Sequence, residues 1–456
     1  MGAPLTQHRS NPQDRATNPD ALPAHPTPVR PGLMQNGAPP PSKPPPVRNY
    51  DQQSGPSTGK ARQTSVDVSK PVTHAELERL RAAAEATTSS PKTQFIYAKK
   101  LVEAATVLAS EGGRADPKTT AKNRERYITD AHKRIKKLVS QGYPESQFYL
   151  ADCYGQGSLG LEPDPKEAFN LYQAAAKTGH PSAAYRTALC CEMGPEEGGG
   201  TRKDYAKAVQ WYRRAAALGD AAAMYKVGMI SLRGLLGEKR NVTDAVNWLR
   251  KAADRADQDD PHALHTLATL HEASNTDPEV RSKVPVDEKY ALSLFQQAAS
   301  LGYKTSQFRL GQAYEYGSLG LTIDNRASIS WYSKAAAQGE HQAELALSGW
   351  YLTGAEGILE HNDTEAYLWA RKAASSEPPL AKAMFAMGYF SEQGIGCPAN
   401  IEEAKRWYGR AASYKFPKAM ERLEELRKSG KNKPAAVNGK LTRKDQKRDE
   451  AECVIM

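Results

Sequence analysis

The chain is poor in cysteine, with five in 456 residues and none spaced as C-x-x-C. That excludes a disulfide framework and points to a reducing compartment. Long apolar runs are also missing. No stretch approaches the ~18 uninterrupted apolar residues of a spanning helix, and the opening MGAPLTQHRSNPQDR has no apolar h-region, so no secretory signal is visible. Positive charge is scarce where a nucleic-acid binder would need it. Of the formal net charge of +10, residues 1–91 carry +3 and residues 427–456 carry +5, which leaves +2 for residues 92–426. A phosphate-binding surface needs its cations on the folded part, so no nucleic-acid partner is expected.

Proline is abundant but confined. Sixteen of the 30 prolines lie in residues 1–91, in runs such as APPPSKPPPVR at 38–48. With little apolar side chain to bury, this segment does not offset its ordering entropy and is expected to be a disordered tail with polyproline II stretches. Pro41-Ser42-Lys43-Pro44 is a P-x-x-P for an SH3-type partner.

From about residue 92 the composition turns to Ala, Leu, Tyr and Trp, and a repeat emerges. Its anchors are Leu171, Trp211, Trp248, Leu294, Trp331, Trp369 and Trp407, at intervals of 37 to 46 residues. Seven residues before each stands Asp164, Asp204, Asn241, Asp287, Asp324, Asn362 or Asn400, the side chains that accept from free amides at a helix start. A small residue three before the anchor and an alanine four after it complete one helical stripe, large in the middle and small at both sides. A second helix precedes each of these. Six of the seven close on Gly157, Gly194, Gly234, Gly317, Gly354 or Gly394, which suit a left-handed helix end; Ser274 takes the glycine's place in the fourth repeat.

A helix pair cannot bury its stripe alone, so pairs must stack. The expected fold is all-α, a right-handed superhelical α-solenoid of about seven helix pairs with disordered N- and C-terminal tails. Its divisions are a tail at 1–91, capping helices within 92–143, the repeats at 144–428, and a basic tail at 429–456. Extra length falls in loops near 194–203 and 273–286, a plausible binding edge. The pattern resembles the Sel-one-like repeat, a relative of the tetratricopeptide repeat.

The chain ends Cys453-Val454-Ile455-Met456, the C-a-a-X pattern for farnesylation of Cys453. One lipid chain gives only marginal membrane residence. A second signal stands upstream in Lys440, Arg443, Lys444, Lys447 and Arg448, which with the lipid implies an anionic membrane surface as a partner. Met1-Gly2 also fits the permissive N-myristoylation pattern.

Other motifs dissolve on inspection. Gly155-Gln156-Gly157-Ser158-Leu159-Gly160 is a literal G-x-G-x-x-G, but it follows a helix and is echoed at 316–320, so it reads as a turn. GPSTGK at 55–60 is one residue short of a Walker A loop. His262, His265, His271 and Glu272 do not share one helical face, so no metal is expected. Cys153, Cys190, Cys191 and Cys397 read as small hydrophobes. No catalytic triad or dyad can be assembled, and neither enzyme activity nor a cofactor is expected.

The repeats, the Pro-rich and basic tails and C-V-I-M occur together with SQFYLADCYGQGSLG (146–160) and DYAKAVQWYRRAAALGDAAAMYKVG (204–228). In that combination the chain resembles the fungal chitin synthase regulatory subunits. The resemblance implies a non-catalytic activator that binds a membrane-embedded chitin synthase catalytic subunit from the cytosolic side. It would promote the synthase's localisation and activity at the plasma membrane or septum. A prenylated signalling scaffold without a chitin connection shares the same features. For partner contact, the expected positions are Tyr149, Arg186, Lys226 and Arg309, which are equivalent in the register of the first helices.

Overall fold

Every Asp or Asn placed seven residues before an anchor caps a helix. Asp164 accepts from the amides of Lys166 and Glu167, Asp204 from Lys207, Asn241 from Asp244, and Asp287 from Tyr290. Asp324, Asn362 and Asn400 do the same in their repeats. The six expected glycines end the partner helices with positive φ, where an L side chain would be strained.

The computed structural model describes residues 72–86, 89–110 and 113–429. Cys453 and its basic neighbours, the P-x-x-P, Gly2 and GPSTGK lie outside the described residues. Among the latter the fold is an all-α solenoid of repeated helix pairs. An isolated bridge between Ala355 and Leu359 stands in place of any strand.

The described chain falls into two compact units, divided after Leu301. The first opens with α1 (His74–Glu85), α2 (Pro91–Val107) and α3 (Pro117–Ser140). Three helix pairs follow: α4 (Pro144–Gln156) with α5 (Pro165–Lys177), α6 (Pro181–Met193) with α7 (Tyr205–Ala217), and α8 (Ala221–Arg233) with α9 (Val242–Ala253). The fourth pair is split by a short extra helix: α10 (His262–His271), α11 (Pro278–Lys283) and α12 (Glu288–Ser300). The second unit holds α13 (Lys304–Tyr316) with α14 (Asn325–Ala337), α15 (His341–Thr353) with α16 (Asp363–Ala374), α17 (Ala381–Gln393) with α18 (Ile401–Ser413), and a closing α19 (Pro417–Ser429).

Two local outcomes differ from the sequence expectation. α1 lies inside the stretch assigned to the tail. HAELERLRAAAE is free of proline, Thr73 caps it, and Val72, Leu77 and Ala84 are buried in a cluster with Tyr97, Leu101 and Ala131 of α2 and α3. The 273–286 loop is not irregular throughout: Asp277 accepts from the amides of Glu279 and Val280 to start α11, and Val280 and Val284 are buried.

The largest difference concerns what fills the core. Of the seven anchors, each seven residues after its cap, Leu171, Leu294, Trp369 and Trp407 are buried as expected, but Trp211, Trp248 and Trp331 are only half-buried. The residue at offset eight goes deepest instead: Tyr212, Leu249, Phe295, Tyr332 and Tyr408 are all within 1% of full burial. Within each unit, the second helices other than α12 touch the first helix of their own pair and the helix that follows. Their buried arc therefore spans offsets four, five, eight, eleven and twelve and centres on eight. Small residues opposite make the approach possible: a Cβ on Gly388 would sit 2.5 Å from the Tyr408 ring, and one on Gly311 2.6 Å from Tyr332. Every one of these tryptophans, half-buried or, like Trp369 and Trp407, buried, lies under a cation three residues on. Arg214 lies 5.3 Å from Trp211, Lys251 4.4 Å from Trp248, and Lys334 4.0 Å from Trp331.

Candidate protein-interaction surface

The four expected contact residues are each the sixth residue of a first helix, and the same position of α15, α17 and α19 holds Ala346, Ala386 and Arg422. Tyr149, Arg186 and Lys226 belong to the first unit and Arg309 to the second. Their surroundings differ. Arg186 is exposed and Arg309 half-buried. Tyr149 packs edge-on against Phe95 at 5.8 Å, and burial pushes its hydroxyl up to about 12. Lys226 pairs with Glu192 at 2.9 Å and lies 5.5 Å from the Tyr212 ring.

Lys226 is one part of a recurring arrangement. The Tyr212 hydroxyl donates to Glu192 at 2.5 Å, Tyr332 to Glu315 at 2.7 Å, and Tyr408 to Glu392 at 2.8 Å. Each of these carboxylates is the twelfth residue of its first helix. Where that residue is Leu232 or Leu352, the following offset-eight residue is Leu249 or Ala370, with no hydroxyl to satisfy. Two repeats depart from this pairing: where the residue is Gly155, Tyr172 donates to Asp152 instead, and in the fourth repeat Glu272 stands at the equivalent place while the offset-eight residue is Phe295, which has no hydroxyl. Burial first, and the neighbouring carboxylate second, drive Tyr172, Tyr212 and Tyr408 far above the ordinary phenol range. These three are fixed donors, unsuited to proton transfer. The sixth-position cation of the next first helix then reaches the carboxylate, as Lys226 does Glu192 and Arg422 does Glu392.

Around α15 and α17 this charged row is interrupted. Ala346 and Ala386 replace the long cations and Leu352 replaces the carboxylate. The space they leave is a groove of about 470 Å³ lined by Phe308, Leu345, Leu352, Phe385, Tyr389 and Phe416, with Lys382 and Lys418 also lining it. Its size is that of a binding cleft and its lining that of an interface centre, aromatic and aliphatic with few charges. Sequence reasoning missed this groove because it looked for polar residues at the sixth position, whereas the signal is the pair of alanines breaking a polar row.

Nothing in the described residues assembles a reaction centre. His262 stacks on Tyr225, His265 meets the edge of Phe295, and His271 is held at Nδ1 by the Pro285 carbonyl, so the three do not converge. Among the described residues no group of three His, Cys, Asp or Glu side chains is placed to hold a metal ion. Burial pushes the Cys153 and Cys190 thiols up to about 11, which leaves them protonated and unreactive. The G-x-G-x-x-G closes α4, with Gly157 as its left-handed cap, and does not open a helix.

A family model described as Sel1 repeat matches residues 144–180, 181–220, 221–257, 281–303, 305–340, 341–377 and 381–413, more than half of the chain. The stretch it omits, 258–280, holds α10 and the start of α11. Among curated proteins, the chain is 38% identical to "Chitin synthase regulatory factor 3" of Schizosaccharomyces pombe over 85% of its own length and 40% of that protein's. It is 36% identical to "Chitin synthase regulator SKT5" of Saccharomyces cerevisiae over 73% of this chain and 47% of that one. It is 41% identical to the protein of the same name in Malassezia restricta over 66% and 20%. The chain thus spans less than half the length of each of these relatives.

Proposed function

The chain belongs to the Sel1 repeat family and is homologous to fungal chitin synthase regulatory factors, and from that premise we propose that it is a non-catalytic adaptor that binds a chitin synthase catalytic subunit at the cytosolic face of a membrane and promotes its localisation and activity. A stack of helix pairs offers an extended surface and no reaction centre, which is the usual office of such repeats. The observation that carries the reading is the apolar groove between α15 and α17. Its aromatic lining calls for a partner segment with bulky apolar side chains, and Lys382 and Lys418 favour carboxylates beside them. Farnesylation at Cys453, with Lys440, Arg443, Lys444, Lys447 and Arg448 beside it, belongs to the same proposal and supplies the tether. No described helix is long and apolar enough to cross a membrane.

The test is affinity purification of the full chain from detergent-solubilised fungal membranes, with identification of what accompanies it. A catalytic synthase is expected. Substituting A346R and A386R restores at these positions the long cations that neighbouring repeats accommodate, so helicity should hold while the synthase is lost. C453S should shift the protein from the membrane to the soluble fraction. Wild-type protein that brings down no synthase defeats the adaptor reading; A346R/A386R that still brings it down defeats the groove; identical sedimentation of C453S and wild type defeats the tether.

A further inference from the structure

The near-neutral charge of the folded region hides a strong polarity. Residues 92–143 hold twelve Lys and Arg against five Asp and Glu, whereas residues 144–426 hold 31 against 36. Most of the excess sits on α3, which at 24 residues is nearly twice the 13 residues typical of the repeat helices. Packing does not account for that length. Its buried side chains are Ala131, Ile135 and Leu138, all in the last ten residues, and the first ten residues bury none.

The face of α3 turned away from these three carries Lys118, Lys122, Arg126, Lys133, Lys136 and Lys137, every one exposed. From the first to the last it runs about 28 Å at ~1.5 Å per residue. None of the six has an ion-pair partner among the described residues. Some cations elsewhere are paired, as Lys226 is with Glu192, Arg240 with Glu279 and Arg213 with Glu238. On α3 itself only Arg134, on the inner flank, meets a carboxylate, that of Glu85 at 3.0 Å. A straight row of unpaired like charges repels itself, and here it extends a helix beyond what the core requires.

We propose that this face of α3 is a binding site for the anionic headgroups of a membrane surface, separate from the C-terminal tail. The choice of a membrane rests on the placement proposed above. Five of the six cations are lysines, compact charges on flexible stems that suit a diffuse, fluid anionic layer better than the planar fork that reads phosphates or bases bidentately. The aromatic and the amide nearest this face are already engaged: Tyr127 packs on the cluster of α1 to α3 with Arg126 5.6 Å from its ring, and Asn123 donates to the Ala109 carbonyl, which leaves little for base stacking or base edges. Binding of this kind is screened over a Debye length of about 8 Å at physiological salt, so it must be salt-sensitive.

The experiment uses the full chain with C453S, which removes any lipid contribution, and vesicles of phosphatidylcholine with or without 30% phosphatidylserine. Sedimentation should depend on phosphatidylserine and fall as KCl is raised from 50 to 300 mM. Adding K118E, K122E, K133E and K136E should weaken vesicle binding at least tenfold with helicity unchanged, and the corresponding glutamine set should weaken it less in the same direction. If charge reversal disturbs the fold, the glutamine set decides. Parent-like binding by both sets overturns the inference, as does tighter binding of a 24-base-pair DNA duplex or of polyglutamate than of vesicles at equal charge concentration. Synthase co-purification from detergent extracts should be untouched by the α3 substitutions, so loss of vesicle binding and failure of the adaptor reading are told apart.

Discussion

Replacing Arg422 by methionine should open the last helices of the second unit far more than the equivalent change at Lys226 disturbs the first. The two cations occupy the same register position and each completes a tyrosine–carboxylate arrangement, but the carboxylates differ in exposure. Glu392 keeps 7% of its side-chain surface, with the Arg422 Nε at 3.1 Å and the Tyr408 hydroxyl at 2.8 Å. Glu192 keeps 24% and its partner Lys226 29%. Removing one member of a buried pair strands a charge and costs ~3–5 kcal/mol, whereas exposed pairs contribute ~0–1 kcal/mol. Arg422 is itself 24% exposed, which admits some solvent and places R422M near ~2–3 kcal/mol; K226M should cost ~0.5–1 kcal/mol. Amide hydrogen exchange of the full chain reads the two sites separately. Exchange in α17 to α19 should accelerate about 30- to 150-fold in R422M, and in α6 to α8 about two- to fivefold in K226M. The double variant E392Q/R422M leaves no stranded charge and keeps an acceptor for Tyr408. It should recover at least ~1 kcal/mol of the single-variant loss. Equal effects of R422M and K226M, or a double variant less stable than R422M, would refute the argument that the stranded carboxylate is what matters.

Two further outcomes follow from the same geometry. Asn400 accepts from the amides of Glu402 and Glu403, each at 3.1 Å. N400A should therefore cost ~1 kcal/mol in thermal unfolding and N400G only a few tenths, a difference that vanishes if the cap is idle. His271 is 3% exposed, and burial holds its pKa below the ordinary value of 6.5, with Arg250 and Arg281 pressing the same way against Asp287 and the bond to the Pro285 carbonyl. The unfolded chain then binds a proton at this residue in a range where the folded one does not, so its contribution is full above pH 6.5 and is lost as pH falls toward the depressed folded value. H271N keeps a donor for Pro285, and its drop in thermal midpoint between pH 7.5 and 5.5 should be smaller than that of wild type; an equal drop would mean that His271 does not titrate in this way.

What was legible in the sequence is what rests on one chemical type at one spacing. Asp or Asn before each anchor and Gly after six of the seven partner helices have a single physical use: all seven caps take it, and the six glycines all take positive φ, Gly157, Gly234, Gly317 and Gly394 as left-handed caps and Gly194 and Gly354 with an extended ψ. The offset-eight core was missed because Trp at offset seven is larger and catches the eye. Size ranks residues by what they would gain on burial, not by where a helix squeezed between two neighbours turns its widest face. Yet the signal was there in paired form. Glu192, Glu315 and Glu392 stand two residues before Gly194, Gly317 and Gly394, and each has a tyrosine eight residues after the next cap. Leu232 and Leu352 stand at the same point and are followed by Leu249 and Ala370. A buried hydroxyl and a buried carboxylate are each costly alone and inexpensive together, and the two positions match in five of the seven repeats, Gly155 with Tyr172 and Glu272 with Phe295 being the exceptions, so within one chain the repeats serve as their own alignment. The α3 face failed to register for the opposite reason. Summing charge over 335 residues averages a +7 segment against a −5 segment, whereas headgroup electrostatics act within a Debye length. The relevant sum runs over one helix face. Its length against its burial is the quantity that separates a solvated helix from one kept for its charge.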